Sequence, residues 1–96
     1  MYFIYVLYSL KDHKLYKGYT SNLENRLKKH NSGGSKSTAK RKPFVLIHIE
    51  QFENKADALK RERYLKTLEG GSELKRYLID QSHVLNSEGR LNMEQR

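Results

Sequence analysis

The run Tyr2-Phe-Ile-Tyr-Val-Leu-Tyr8 constrains the fold more than any other stretch of the chain. Seven aromatic and aliphatic residues in a row, with no polar alternation, read as a strand that must be covered on both faces and therefore lies in the middle of its sheet. Ser9 to Lys14 is a polar turn. Leu15 to Tyr19 is short and β-prone, and pairs most simply with the first strand as an antiparallel hairpin. Phe44 to Phe52 supplies a third strand. Pro43 precedes it, where a missing N–H does no harm.

Helices fill the remainder. Ser21 and Glu24 have the spacing of a capping box and open a helix that should stop near Asn31, because Ser32-Gly33-Gly34 follows. Gly33 to Lys42 reads as a flexible basic loop. Asn54 can cap a second helix over Lys55–Glu69, closed by Gly70-Gly71, and Ser72 a third from Glu73 to about Gln81. The expected class is α/β of the α+β type: a three-stranded, mainly antiparallel sheet flanked by helices, in the order β-β-α-β-α-α. Residues 1–81 make one domain, and 82–96 a polar tail, disordered or partly helical.

The 96 residues suffice for one domain. No cysteine is present, so there is no disulfide framework and no thiolate chemistry. The longest apolar run falls far short of the ~20 residues of a membrane span. A cytoplasmic protein without a membrane association is expected. Charge is more informative. The net charge is +8, from 19 Lys and Arg against 11 Asp and Glu. Between Lys11 and Pro43 there are ten basic residues and only Asp12 and Glu24; elsewhere the signs balance. A field so localised attracts a polyanion, nucleic acid first.

Two features carry chemistry. Glu62 follows Ala58 by four and Leu59 by three and precedes Leu65 by three, within the core-facing stripe of its helix. A lone carboxylate is costly there. It is either a metal ligand or general acid/base at a site, or a carboxylate paired with Arg26, Lys66 or another Lys. Asn22, Arg26 and His30 are spaced by four, on one helical face flanking the apolar line of Leu23 and Leu27. Arg26 there can hold a phosphate by two prongs, and His30 can donate to a phosphate oxygen or shuttle a proton; the plain alternative is a solvated polar face. Tyr5 and Tyr16 lie on strands that pair, and a phenol can line a site while still packing.

Taken together these positions resemble the GIY-YIG nuclease superfamily. Phe3-Ile4-Tyr5 stands where the family has Gly-Ile-Tyr, and Tyr16-Lys17-Gly18 where it has Tyr-Ile-Gly. Arg26 and then His30 follow on a helix, and the stretch from Ala58 to Lys66 looks like the element bearing the family's acidic ligand. The pattern Y-V-L-x-S, Y-x-G-x-T, L-x-x-R-L-x-x-H-N-x-G is similar to small stand-alone bacterial members. The resemblance covers about residues 2–80. The first motif has Phe3 in place of Gly and the second Lys17 in place of Ile. Lys17 should face away from Tyr16 and Gly18 on its strand.

The resemblance implies a DNA endonuclease of low sequence specificity, structure-directed or nonspecific, linked to repair or recombination, with a non-catalytic nucleic-acid-binding module as the alternative. It implies one divalent cation, Mg²⁺ or Mn²⁺, on Glu62. Tyr5 or Tyr16 would orient or deprotonate the water, Arg26 would stabilise charge on the phosphate, and His30 would add a donor or assist a tyrosine. Gly18, Asn22, Lys36, Lys40, Arg41 and Lys42 are the expected nucleic-acid contacts. With no recognition module in view, a protein partner could supply specificity, and the expected state is a monomer or weak dimer.

Overall fold

β1 (Tyr2–Ser9) is the central strand of a sheet of order β2-β1-β3, with β2 (Leu15–Thr20) and β3 (Phe44–Phe52) antiparallel on either side. The computed structural model describes residues 1–34 and 38–92. By internal packing the chain divides into two units, Met1–Glu62 and the residues from Arg63 on. The helices are α1 (Leu23–Asn31), α2 (Lys55–Leu65) and α3 (Leu68–Asp80), with a 3-10 turn at Ala39–Arg41. This is the α+β class and the element order that the pattern predicts.

The unbroken apolar run behaves as expected: Ile4, Tyr5, Val6, Leu7 and Tyr8 are all buried. Tyr5 and Leu7 form a cluster with Phe44, against which Tyr16, Leu23, Leu27 and Leu46 pack. α1 therefore covers one face of the sheet through its two leucines. The β1–β3 register shifts between Val6 and Leu7: Leu7 lies opposite Leu46 but Val6 opposite His48, leaving Ile47 as the extra residue. The shift exchanges the faces of β3. Phe44 and Leu46 serve the α1 side, whereas His48 and Glu50 join Val6 and Ile4 on the other.

Two helix boundaries differ from the sequence expectation. The cap of α1 is Asn22 and not Ser21; its side-chain oxygen accepts from the Asn25 N–H at 3.1 Å. The break between α2 and α3 falls at Lys66-Thr67 and not at Gly70-Gly71. The Thr67 hydroxyl donates to the Tyr64 carbonyl at 2.6 Å and accepts from the Gly70 N–H at 3.0 Å, so one side chain ends α2 and opens α3. Gly70 is a glycine because a Cβ there would collide with the Tyr64 carbonyl. Leu68 starts α3 and is 90% exposed.

Beyond α3 the residues to Asn92 form turns closed by an isolated antiparallel bridge, Leu85 to Leu91, with Leu85 buried. No helix forms among the described residues there. No described helix is long and apolar enough to cross a membrane.

Candidate active site

The hairpin builds the floor of the site. Tyr5 lies opposite Gly18, and Leu7 opposite Tyr16, so Tyr5, Tyr16 and Gly18 share the face toward α1. A Cβ on Gly18 would collide with the Tyr5 ring at Cζ and at its hydroxyl. The glycine is thus required by close approach: the phenol of Tyr5 occupies the space that any other residue would fill. Tyr16, two residues away on β2, sets its ring 6.3 Å from that of Tyr5. Lys17 lies opposite Val6, on the other face.

α1 supplies the wall. Arg26 and His30 are one turn apart, and His30, 1% exposed, is enclosed. Its Nε2 is 2.9 Å from the Tyr5 hydroxyl and its Nδ1 is 2.8 Å from Thr38 Oγ1. The imidazole meets the Tyr16 ring edge-on at 4.9 Å and the Phe44 ring at 5.9 Å. Both ring nitrogens are therefore engaged inside the protein, an arrangement in which His30 supports Tyr5 and does not reach outward to a phosphate. Asn22 does not extend the polar stripe; its side chain is the helix cap.

The basic loop is anchored through Arg41. The buried Ser9 hydroxyl donates to the Arg41 carbonyl at 2.6 Å, and the Arg41 N–H donates to the Thr38 carbonyl at 2.9 Å. The Arg41 guanidinium bonds Asp12 at 2.7 Å and the Leu15 carbonyl at 3.4 Å, and lies over the Phe44 ring at 5.6 Å. It holds the Asp12 carboxyl down at about 2. The Arg41 guanidinium, expected at a nucleic-acid phosphate, here pins the 3-10 turn to the sheet. Lys40 and Lys42 are exposed, as a phosphate contact requires, and Lys36 lies outside the described residues.

Burial pushes the Tyr5 phenol up to about 12. Tyr16 and Glu62 act in the same direction, while the Arg26 guanidinium opposes them by its charge and a hydrogen bond. His30 is pushed below the ordinary imidazole value by burial, and further by Arg26 and Lys29. Two neutral hydrogen-bonding groups thus face one fixed cation, and the Glu62 carboxylate on α2 is near enough for its charge to be felt at Tyr5. Tyr5, Tyr16, Arg26 and His30, from three elements far apart in sequence, share one neighbourhood, and the charge of Glu62 reaches it.

The GIY-YIG catalytic-domain model matches residues 1–77. The chain belongs to the GIY-YIG family. Among curated proteins it is similar to the UPF0213 protein of Clostridium perfringens, 49% identical over 69 residues, covering 71% of this chain and 73% of that one. The UPF0213 protein of Staphylococcus haemolyticus is 42% identical over 74 residues, covering 76% and 89%. Among solved structures, the solution structure of the UPF0213 protein BH0048 from Bacillus halodurans has a TM-score of 0.54 at 32% identity, covering 86% of this chain and 92% of that one. Membership in this nuclease family implies a nucleic-acid substrate.

GIY-YIG nucleases generally use a divalent metal. The one acid expected to hold it, Glu62, is a hard oxygen donor. No group of three or more His, Cys, Asp or Glu that could hold a metal occurs among the described residues. One protein carboxylate, completed by water and substrate phosphate, is the way Mg²⁺ is commonly held, and Glu62 has the chemistry for that role.

Three residues escaped the sequence reading. Thr38 completes the His30 environment. Asn31 pairs with the start of β3, accepting from the Phe44 N–H at 2.7 Å and donating to its carbonyl at 3.4 Å. Ser9 organises the β1–β2 turn, accepting from the N–H groups of Lys11 and Asp12 at 3.1 Å each. Ser9 and Asn31 fall within the family-like strings, which was the available signal. Thr38 gave none.

Proposed function

We propose that this GIY-YIG protein is a divalent-metal-dependent endonuclease that hydrolyses DNA phosphodiester bonds with low sequence specificity, acting on irregular or branched DNA in repair or recombination. The observation that carries this reading is the convergence of Tyr5, Tyr16, Arg26 and His30, with Glu62 in electrostatic reach.

Arg26 holds the phosphate. Half-buried, already directed at the phenol cluster and always charged, its guanidinium is arranged before the substrate arrives, and a preorganised donor of this kind is worth ~10²–10³ in rate. Tyr16 faces the attacking water. Of the two phenols it is the partly exposed one, whereas Tyr5 is 0% exposed and keeps its proton far above neutral pH. Tyr5 and His30 fix the geometry beneath Tyr16 and Arg26. Glu62 would hold the cation, which when bound supplies positive charge for the phosphate and the departing 3′ oxygen. Lys40 and Lys42 contact flanking phosphates, which gives affinity without base readout.

The test is incubation of the pure protein with plasmid, branched and single-stranded DNA, with Mn²⁺ and then with EDTA, beside Glu62→Ala and Arg26→Ala. Metal-dependent nicking lost in both variants supports the enzyme. Binding without cleavage of any substrate points to a non-catalytic module on the same scaffold. Cleavage by Glu62→Ala at the wild-type rate removes Glu62 from the site.

A further inference from the structure

Thr38 sits at the far end of a buried chain, Thr38 Oγ1 to His30 Nδ1, then His30 Nε2 to the Tyr5 hydroxyl, with the Arg26 guanidinium acting on that phenol by its charge. Thr38 and Tyr5 are 0% exposed and His30 1%. The donors and acceptors in this chain can be counted. A guanidinium only donates, so the Tyr5 proton cannot be directed at Arg26, and the phenol can offer that cation only its lone pairs. A phenol keeps its proton at neutral pH and must direct it to an acceptor. The His30 Nε2 lies at 2.9 Å and can accept it. A neutral imidazole has one donor and one acceptor, so Nδ1 then carries the proton and donates to Thr38.

We infer that Thr38 is a positioning residue that fixes the tautomer of His30, and through it the direction in which the Tyr5 hydroxyl proton points. With Nδ1–H held by Thr38, the Tyr5 proton is turned inward to Nε2 and the phenol oxygen offers lone pairs to Arg26. Without that acceptor, His30 is free to take the Nε2–H form. Tyr5 must then turn its proton outward, against the guanidinium. No net proton transfer is involved; the chain fixes orientation only. The 3-10 turn that delivers Thr38 is held by Ser9 and Arg41, which gives those two part-buried contacts a purpose in the site as well as in the fold.

The tautomer is measurable without any activity, whereas the rate effect rests on the nuclease reading above. In ¹⁵N NMR of the whole chain at neutral pH, His30 should show a protonated Nδ1 and an unprotonated Nε2. Thr38→Val, which keeps the shape and removes the hydroxyl, should move it toward the Nε2–H form, and Thr38→Ser should restore it. In the nuclease assay Thr38→Val should lower kcat about tenfold, as loss of a group that orients a site residue commonly does, with KM unchanged and recovery in Thr38→Ser. A wild-type His30 in the Nε2–H form overturns the inference, whether or not Thr38→Val folds. An unchanged tautomer in folded Thr38→Val does the same. If the wild type cleaves nothing, the nuclease reading falls, and the tautomer result still decides the role of Thr38.

Discussion

Two clusters in this protein contain the same side-chain types and are built on opposite principles. On the α1 side of the sheet, Arg26 and His30 accompany two phenols, with Glu62 in range. On the other side, His48, Glu50 and Arg61 form a hydrogen-bonded, ion-paired set. Arg61 donates twice to Glu50, at 2.8 and 3.1 Å, and His48 lies 2.9 Å from the same carboxylate. The His48 hydrogen bond, seconded by Arg61, pulls the Glu50 carboxyl down to about 2. In that cluster the acid's charge is answered by its neighbours, and the charged state is the stable one. In the first cluster burial stabilises the neutral forms of Tyr5 and His30, and the guanidinium beside them acts on a phenol by its charge. A cation held by neutral partners is suited to take an incoming anion. A cation that already holds its carboxylate twice over is suited to hold a fold.

The sharpest way to break this contrast is to remove one arginine from each cluster. Arg26→Ala should lower the cleavage rate by ~10²–10³ with the fold retained, and Arg61→Ala should lower thermal stability while leaving the rate of the folded fraction near wild type. Equal losses of rate in the two variants would mean that the clusters are not functionally distinct. Glu62→Gln, one position along α2 from Arg61, should behave like Arg26→Ala. Adjacent residues on a helix point about 100° apart, so neighbours in sequence can serve different clusters.

Acid titration separates the same two regions by pH. Glu50 has a folded value near 2 against an ordinary 4.5. Its contribution is therefore present above about pH 4.5 and disappears as pH falls toward 2, since the unfolded chain takes up the proton first. Glu50→Ala should cost about 2 kcal/mol at pH 7, less than the loss of a fully buried ion pair because these side chains are part-exposed, and should flatten the stability curve below pH 4.5. His30 acts at higher pH. Its folded value is depressed, so stability falls as pH drops below the ordinary imidazole value of 6.5, where the unfolded chain protonates. Urea titrations at pH 7, 5.5 and 3.5 should show the His30 loss at the first step and the Glu50 loss at the second. A Glu50→Ala curve parallel to wild type below pH 4.5 would contradict the assignment.

Gly18→Ala tests whether the phenol cluster depends on the hairpin. The added methyl meets the Tyr5 ring, which cannot bend away, and overpacking of this kind costs about 1–3 kcal/mol. The expected outcome is lower stability together with lower rate, because Tyr5 moves. In the His48 cluster no site depends on such an absence. Ala58→Gly, in α2, should lower stability without a separate effect on the rate of the folded protein.

How much of this contrast could be read from the sequence follows from the range over which each feature is determined. The strands were legible because the apolar run of β1 and the patterns of β2 and β3 are local. So was the spacing that brings Arg26 and His30 to one face of α1. The helix boundaries were less so. Ser21 and Asn22 are both good caps, and Thr67 overrode Gly70-Gly71 through hydrogen bonds to residues on both sides of it. The His48 cluster was hidden, because a one-residue bulge at Ile47 decides which face His48 and Glu50 occupy and nothing in the local pattern announces it. Thr38 was hidden too. A threonine in a basic loop looks solvated until His30, eight residues earlier, is found behind it. The exposed or inward fate of the loop's cations is decided in the same way, by the tertiary partners Asp12 and Leu15.

That last distinction gives the smallest and most specific effect. Lys40 is exposed and Arg41 is bonded to Asp12, although the two are adjacent and both were expected at phosphates. Lys40→Ala should weaken DNA binding a few-fold, uniformly across sequences, and reduce the slope of log K against log salt by about 1, the signature of one lost phosphate contact. Arg41→Ala should leave that slope unchanged, because its charge is already committed to Asp12, and should instead lower stability and loosen the turn that carries Thr38. Binding isotherms across a range of salt concentrations distinguish the two. A slope reduced by Arg41→Ala as much as by Lys40→Ala would place Arg41 on the DNA after all, and would require the Asp12 ion pair to open when substrate binds.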